Sequence, residues 1–511
     1  MLRVKAPCLM IQGTGSGVGK SVLATALCRL FARAGYRVAP FKSQNMSLNA
    51  AVTADGGEIG RAQAAQAEAA GLEPTVDMNP ILLKPEADDR SQVIVRGTPV
   101  GRFTFGEYAR MREELAPVVQ DSLERLRATS DIVIIEGAGS PAEINLRAID
   151  LANMSVARMA DAPVLLVGDI GRGGVFAALV GTLALLESSD RPRVAGFIIN
   201  KFRGDPALLA PGLEELAART GVPVLGVLPH IAGSLAPAED SLSLDEYEAS
   251  SGPCALDVAV VRLPRIANFD DFEPLAREPG VRVRFITSAA ELRGTDLVVL
   301  PGSKSTASDL GFLHECGLAR AIVRLAARGH PVLGICGGYQ MLGTSLQDPN
   351  GVESARPVIP GLGLLRAVTT FAREKTTVRV RARVLAAGGP FDVAAGAELM
   401  AYEIHMGRTE VGEAARPFSV TGRGDEVGER VDGAVNSACN VLGTYLHSLL
   451  ENGALSRALL EHLAARRADR PDPRWGSAPR ALAGYDRLAD IVKAALDIAA
   501  IAKLVGLGMV V

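Results

Sequence analysis

A single glycine-rich run, Gly13-Thr14-Gly15-Ser16-Gly17-Val18-Gly19-Lys20-Ser21, narrows the folds open to this chain more than any other feature. It follows the short apolar run Cys8 to Gln12 and leads into a helical pattern. Glycines in such a turn let successive backbone N–H groups face one anion, and the helix that follows adds its positive end. A lysine placed like Lys20 neutralises phosphate charge, and a hydroxyl placed like that of Ser21 joins a Mg2+ shell. A strand that ends at such a loop belongs to a parallel sheet with helices packed on its faces.

The rest of the first half agrees with that expectation. The apolar runs Arg37 to Phe41, Ile132 to Ile135, Val164 to Val167 and Val194 to Ile199 alternate with longer helical patterns, as strands of a parallel sheet do. From Ile231 to Pro253 the texture changes to Pro, Ser, Asp and Glu with no clear period, which reads as an interdomain linker. A second series of runs follows, Leu256 to Val261, Val281 to Ile286, Leu297 to Leu300 and Val332 to Ile335. A chain of 511 residues is too long for one compact core. The expected organisation is α/β throughout, with a nucleotide domain over residues 1–232, a linker over 233–254, a second α/β domain over 255–450, and a tether with a terminal helix over 451–511.

Within the first domain the phosphate loop is a variant, because Thr14 stands where the general pattern has its first glycine. Thr14, Gly17, Gly19, Lys20 and Ser21 are the residues expected at ATP. Gly15 occupies the position at which partitioning ATPases carry an extra lysine, which argues against a spatial-positioning role. Glu136 ends the run Ile132-Val133-Ile134-Ile135 and precedes Gly137-Ala138-Gly139. A carboxylate at a strand's C-terminal end is a candidate Mg2+ ligand beside Ser21; the alternative is a solvated turn glutamate. Lys42 ends another strand and is a candidate to stabilise developing phosphoryl charge. Asp55 is a second metal candidate, and Asn200-Lys201 follows a strand end where a nucleotide base could be met.

The second domain carries a cysteine elbow, Gly334-Ile335-Cys336-Gly337-Gly338, at the junction of a strand and the next helix. Small neighbours allow the tight turn, and a sulfur at a helix N-terminus is favoured as thiolate. The alternative is a core cysteine in a glycine-rich turn. Of the six histidines, His447 is the best placed base, at the end of Val441-Leu442-Gly443-Thr444-Tyr445-Leu446. His405, in Ala401 to Thr409, is the second candidate, for substrate or interdomain contacts. The backbone N–H of Gly302, after the run Leu297 to Leu300, could pair with that of Gly337 as an oxyanion hole.

Composition excludes several functions. Lys and Arg total 54 against 57 Asp and Glu, so no global charge favours nucleic acid, and a small-molecule substrate is the expectation. Cys8, Cys28, Cys254, Cys316, Cys336 and Cys439 form no CxxC pair, which argues against a disulfide framework or zinc knuckle. The residues before Cys8 leave no room for a removable leader, and the apolar tail from Leu488 is interrupted by Asp490, Lys493, Asp497 and Lys503. The expectation is a cytoplasmic protein with no membrane span and an amphipathic C-terminal helix that docks within the chain, at a dimer contact or over substrate. Monomer and homo-oligomer both stay open.

The elbow at Cys336, the Gly302 loop and His447 together resemble the triad-type glutamine amidotransferase domain. That family has a Glu two residues after its histidine, whereas this chain reads His447-Ser448-Leu449; the departure is itself a feature of the cobyric-acid and cobyrinic-acid diamide synthase branch. The variant phosphate loop and Glu136-Gly137-Ala138-Gly139 are similar to dethiobiotin synthetase. Adding Phe41 to Asn49, Glu58 to Gln63, Ser140 to Leu146 and Tyr402 to Thr409, the whole chain resembles the cobyric acid synthase family.

That resemblance implies an N-terminal P-loop NTPase-like parallel sheet and a C-terminal triad-type glutamine amidotransferase domain. It implies ATP and Mg2+ as cofactors, and glutamine and adenosylcobyrinic acid a,c-diamide as substrates. Four carboxylates, b, d, e and g, would be amidated in cobalamin biosynthesis, through acyl phosphates and ammonia released at Cys336 by way of a shielded passage. Two rivals remain at this stage. One is cobyrinic acid a,c-diamide synthase, against which the Phe41 to Asn49 and Ser140 to Leu146 segments weigh. The other is an ATP-driven assembly switch with an inert amidotransferase-like domain, against which intact Cys336 and His447 weigh.

Overall fold

The computed structural model describes residues 5–231, 244, 254–424, 426–477 and 481–508. Apart from Leu244 and Cys254, the expected linker lies outside the described residues. The chain divides into two compact units. One comprises Met1–Ser47, Glu58–Glu239 and Arg480–Val511; the other comprises Leu48–Gly57 and Asp240–Pro479. Both are α/β, and every apolar run singled out above forms a strand.

The first unit is built on a six-stranded parallel sheet in the order Val224–Pro229, Val194–Phe202, Val164–Asp169, Cys8–Gly13, Ile132–Glu136, Val38–Phe41. The central strands are buried on both faces, which is why they read as unbroken apolar runs rather than alternating ones. Register decides what meets at the C-terminal edge. Ile11 lies opposite Glu136 and Phe41 opposite Ile135, so Lys42 and Glu136 emerge side by side next to the loop that follows Gly13. A smaller four-stranded sheet, Gln44–Met46, Ile81–Pro85, Arg90–Val95 and Thr98–Thr104, adjoins it in the same unit.

The second unit has a six-stranded sheet in the order Val281–Ile286, Leu256–Val261, Leu297–Leu300, Val332–Ile335, Val441–Thr444, Ala434–Val435, parallel except for the last pair. Ile335 pairs with Thr444, and the Cys336 N–H continues the ladder to the Thr444 carbonyl at 2.8 Å. The Cys336 elbow and the chain approaching His447 therefore leave adjacent strands at the same edge. Beside this sheet runs a second, mainly antiparallel one, dominated by the long pair Ala367–Val384 and Glu398–Val411.

The unit does not stop near Leu450. The helix Gly453–Arg466 contributes Leu455, Leu459, Leu460 and Leu463 to its core, and buried Trp475 donates from Nε1 to the Pro279 carbonyl at 2.9 Å. The Arg- and Pro-rich stretch is thus packed at its tryptophan rather than being a bare tether. The helices Ala481–Ala495 and Ile498–Leu504 then pack in the first unit. There Leu488, Val492 and Ile501 join Leu23, Leu27 and Phe31 of the helix Lys20–Arg33. Arg29 grips Asp486 through two bonds of 2.7 and 3.1 Å, and Arg33 reaches Asp490 at 2.7 Å. The amphipathic tail docks within the chain on the helix that begins at the phosphate loop. Among the described residues, no helix is long and apolar enough to cross a membrane, and none of the six cysteines pairs.

Candidate active site

In the first unit the phosphate loop is shaped by its neighbours. Gly17 and Gly19 have φ of 70° and 97°, and a Cβ on Gly19 would sit 2.1 Å from Asn200 Nδ2, so only glycine fits there. Asn200 donates from that nitrogen to the Val18 carbonyl at 2.8 Å. It braces the loop from beneath. Lys20 spans the turn, donating to the carbonyls of Gly15 at 2.8 Å and Gly139 at 2.9 Å. The Thr14 N–H bonds the Val167 carbonyl at 2.9 Å, so this amide belongs to the sheet edge and is not among those turned to the loop's centre.

Glu136 is fully buried and not a solvated turn residue. Its Oε1 accepts from Ser21 Oγ at 2.8 Å and Lys42 Nζ at 2.7 Å, and its Oε2 accepts from Gln66 Nε2 at 2.6 Å. A buried carboxylate is costly unless paired and hydrogen-bonded, and these three donors meet that requirement. The Glu136 turn is held by Asn153, which accepts from the Ala138 N–H and donates to the Ala138 carbonyl. Hydroxyl and carboxylate oxygens side by side at a phosphate loop suit a hard cation that keeps most of its own water, and so fit Mg2+.

Asp55 takes no part in this cluster. It lies in the Leu48–Gly57 segment of the second unit, where its carboxylate accepts from the Thr53 hydroxyl in a tight turn. Among the described residues no three His, Cys, Asp or Glu side chains converge as a metal cage.

In the second unit Cys336 has φ 51° and ψ −107°, a backbone conformation that a side-chain-bearing residue adopts only under constraint. The glycines around it explain why the elbow closes. A Cβ on Gly338 would lie 1.9 Å from the Leu300 carbonyl oxygen, and one on Gly337 would lie 2.8 Å from the Ser303 nitrogen. The Cys336 thiol points to the Ile404 carbonyl at 3.2 Å. The strand that supplies Ile404 also supplies Tyr402, whose ring stacks on His447 at 5.0 Å and whose carbonyl accepts from the His447 N–H at 2.9 Å.

His447 is 1% exposed. Its Nδ1 lies 2.7 Å from Asp271 Oδ2, while Nε2 is buried and, among the described residues, makes no geometrically complete hydrogen bond. Asp271 is clamped in turn, its Oδ1 accepting from the Ser448 N–H at 2.8 Å. Burial opposes the imidazolium, but the Asp271 carboxylate outweighs it and, with Cys336 nearby, pushes the His447 pKa up to about 10. Carboxylate, imidazole and thiol form the order found in nucleophilic triads. Asp271 was not legible as a site residue. Its one local signal is a pair of acids framed by aromatics, Phe269-Asp270-Asp271-Phe272, all buried.

The Gly302 loop also reaches this site. Gly302 pairs with Ala267 in a short two-stranded ladder, and a Cβ on it would be 3.4 Å from His447 Cε1. His405 stacks on Tyr445 at 3.9 Å and contacts Glu403 and the Gly407 carbonyl, so it supports the wall of the site rather than the sulfur. Gln340 completes that wall, bonding Thr306, the Met406 carbonyl and Tyr445.

Residues 9–243 match the CobQ/CobB/MinD/ParA nucleotide binding domain, and residues 257–455 match the CobB/CobQ-like glutamine amidotransferase domain. Cobyric acid synthase of Sorangium cellulosum (strain So ce56) is 56% identical over 98% of both chains. The chain belongs to the cobyric acid synthase family. Other members agree along the length: cobyric acid synthase of Dehalococcoides mccartyi (strain CBDB1) is 49% identical over 99% of this chain and 100% of its own. That of Pelotomaculum thermopropionicum (strain SI; DSM 13744) is 54% identical over 90% of this chain and 88% of its own. Family membership therefore covers both units, and the enzyme is a glutamine-dependent amidating ligase with a nucleotide-binding domain.

Proposed function

We propose that this family member amidates adenosylcobyrinic acid a,c-diamide at its b, d, e and g carboxylates, using one ATP and one glutamine for each amide. The observation that carries this reading is kinship over nearly the whole chain in which both candidate sites are chemically complete: Ser21, Lys42 and Glu136 in one unit, Cys336, His447 and Asp271 in the other.

A corrinoid carboxylate is a poor electrophile. Its oxygen would attack the γ-phosphorus of ATP held along the loop of Gly17, Gly19 and Lys20, giving an acyl phosphate and ADP. Lys20 and Lys42 offset the charge that develops on the phosphoryl oxygens. Ser21 and Glu136 would hold a Mg2+ ion, which when bound would neutralise charge on the phosphates. Ammonia then adds to the acyl carbon and inorganic phosphate leaves, with the nitrogen's surplus proton lost to solvent.

At the other site His447 takes the thiol proton, and the Cys336 sulfur attacks the glutamine side-chain carbonyl. The oxyanion is met by the N–H groups of Gly302 and Gly337. His447 returns the proton to the leaving nitrogen, releasing ammonia and a glutamyl thioester that water cleaves to glutamate. Asp271 keeps the imidazole oriented and stabilises its charged form in both halves.

Mass spectrometry of adenosylcobyrinic acid a,c-diamide after incubation with protein, MgATP and glutamine tests the substrate. The expected result is four successive exchanges of carboxyl OH for NH2. Inert a,c-diamide, with amidation instead of cobyrinic acid at two positions, would reject it in favour of the diamide synthase reaction.

A further inference from the structure

Residues 48–57 belong to the second unit although the chain on both sides, up to Ser47 and from Glu58, belongs to the first. The segment is tied down at its start by a reciprocal pair of bonds. The Ala50 N–H donates to Asn268 Oδ1 at 3.0 Å, and the Phe269 N–H donates to Asn49 Oδ1 at 3.4 Å. Further along, Arg379 Nε donates to the Val52 carbonyl at 2.7 Å. Asn49, Ala50 and Val52 are buried, as is Asn268.

The pair of bonds closes on a particular turn. Asn268 adopts φ 51° and ψ 44° and opens the short helix Phe269–Phe272, which carries Asp271 and through it the His447 ring. Asp271 meets that turn through its own N–H, which donates to the Asn268 carbonyl at 3.2 Å, whereas Asn49 and Ala50 hold the Asn268 side chain and the first helical N–H. We infer that Asn49 is a positioning residue for the glutaminase site, setting Asp271 against His447 from a segment that interrupts the nucleotide-binding sequence. The inference rests on the reading of Cys336, His447 and Asp271 as the glutaminase.

The consequence is specific. A loosened turn lets Asp271 drift from Nδ1, lowering the imidazolium's stability and therefore kcat for glutamine hydrolysis, while KM for glutamine and use of free ammonia stay as they were. Removal of one buried bond in such a bracket should lower glutaminase kcat about tenfold.

Two variants break the bracket from opposite sides: Asn49→Ala removes one acceptor, and Asn268→Gly removes the other while keeping a residue at ease at positive φ. The test measures glutaminase kcat, KM and alkaline pH limb, and ammonia-supported amidation, for both variants and for the pair combined. Expected are a similar fall in kcat, unchanged KM, an alkaline limb moved to lower pH, intact ammonia-supported amidation, and a double variant no worse than about the worse single one. Wild-type glutaminase in either single variant would overturn the inference, as would equal loss of both nitrogen routes, which would mark a general structural role. Cys336→Ala run alongside separates the two levels: if it keeps the glutamine route, the glutaminase reading itself fails.

Discussion

Asp271 and His447 stand 176 residues apart in sequence and 2.7 Å apart in the structure, with the carboxylate's second oxygen held by the Ser448 N–H. This pairing places a carboxylate on His447 where Ser448 and Leu449 after the histidine offer none. It comes from the turn beyond the strand Leu256–Val261 rather than from the residues following the histidine.

Replacing Asp271 with Asn keeps the shape but removes the charge that holds the imidazolium. His447 has a raised pKa because Asp271 offsets its burial; without that carboxylate the charged form is lost at lower pH. Asp271→Asn should therefore cut glutaminase kcat about a hundredfold or more and move the alkaline limb of its pH profile downward. A pH–rate profile checks this, with ammonia-supported amidation unchanged as the control.

Glu136 gathers Ser21, Lys42 and Gln66 in a buried cluster. Glu136→Gln removes the negative charge from the buried Lys42–Glu136 pair, and breaking such a pair costs about 3–5 kcal/mol. Amidation should fall at least about a hundredfold with either nitrogen donor, while glutamine hydrolysis continues. Parallel assays of corrinoid product and glutamate would show the split.

The elbow tolerates no side chain at position 338, where a Cβ would overlap the Leu300 carbonyl. Gly338→Ala should shift the strand-to-helix turn and abolish glutaminase activity, and should lower the second unit's stability by about 1–3 kcal/mol. Thermal unfolding together with glutaminase turnover would register both effects.

Asp432 is buried and accepts from the Thr444 hydroxyl and the Tyr445 N–H. Burial raises its pKa from 3.8 to about 6, against those bonds and with help from the Glu403 charge. The folded state thus binds a proton that the unfolded state has released between those values, so its contribution to stability falls as pH rises through that window and is level above it. Asp432→Asn should be more stable than the wild type at pH 8, by about 1–3 kcal/mol, with the advantage shrinking toward pH 4. Denaturant titrations at several pH values would measure it.

Much of the architecture was legible because parallel strands buried on both faces must be apolar and must end at turns: the runs ending at Gln12, Ile135 and Ile335 announced the sheets and the edges where Lys20, Glu136 and Cys336 stand. Glycine was equally informative, since Gly19 and Gly338 mark places where backbone or amide approaches too closely for a Cβ. Asp271 was hidden because its pairing with His447 is made by the tertiary fold and follows no spacing. Asp55 was a second metal candidate from the Thr53 to Gly60 stretch; its carboxylate accepts from the Thr53 hydroxyl within the Leu48–Gly57 segment, a turn contact that the sequence did not announce. The tail's destination was likewise invisible, as an amphipathic helix records that it has an apolar partner and not which one. The Arg29–Asp486 and Arg33–Asp490 pairs identify that partner only once the helices are side by side.

The proposed coupling is release of ammonia at Cys336 and its use on carboxylates activated at the phosphate loop of the same chain. Its most direct test follows the mass of adenosylcobyrinic acid a,c-diamide with MgATP and the Cys336→Ala variant, given glutamine in one reaction and ammonium in the other. Stepwise amidation from ammonium alone is the predicted result. Amidation from glutamine by the variant, or none from ammonium in folded protein that still binds ATP, would contradict it.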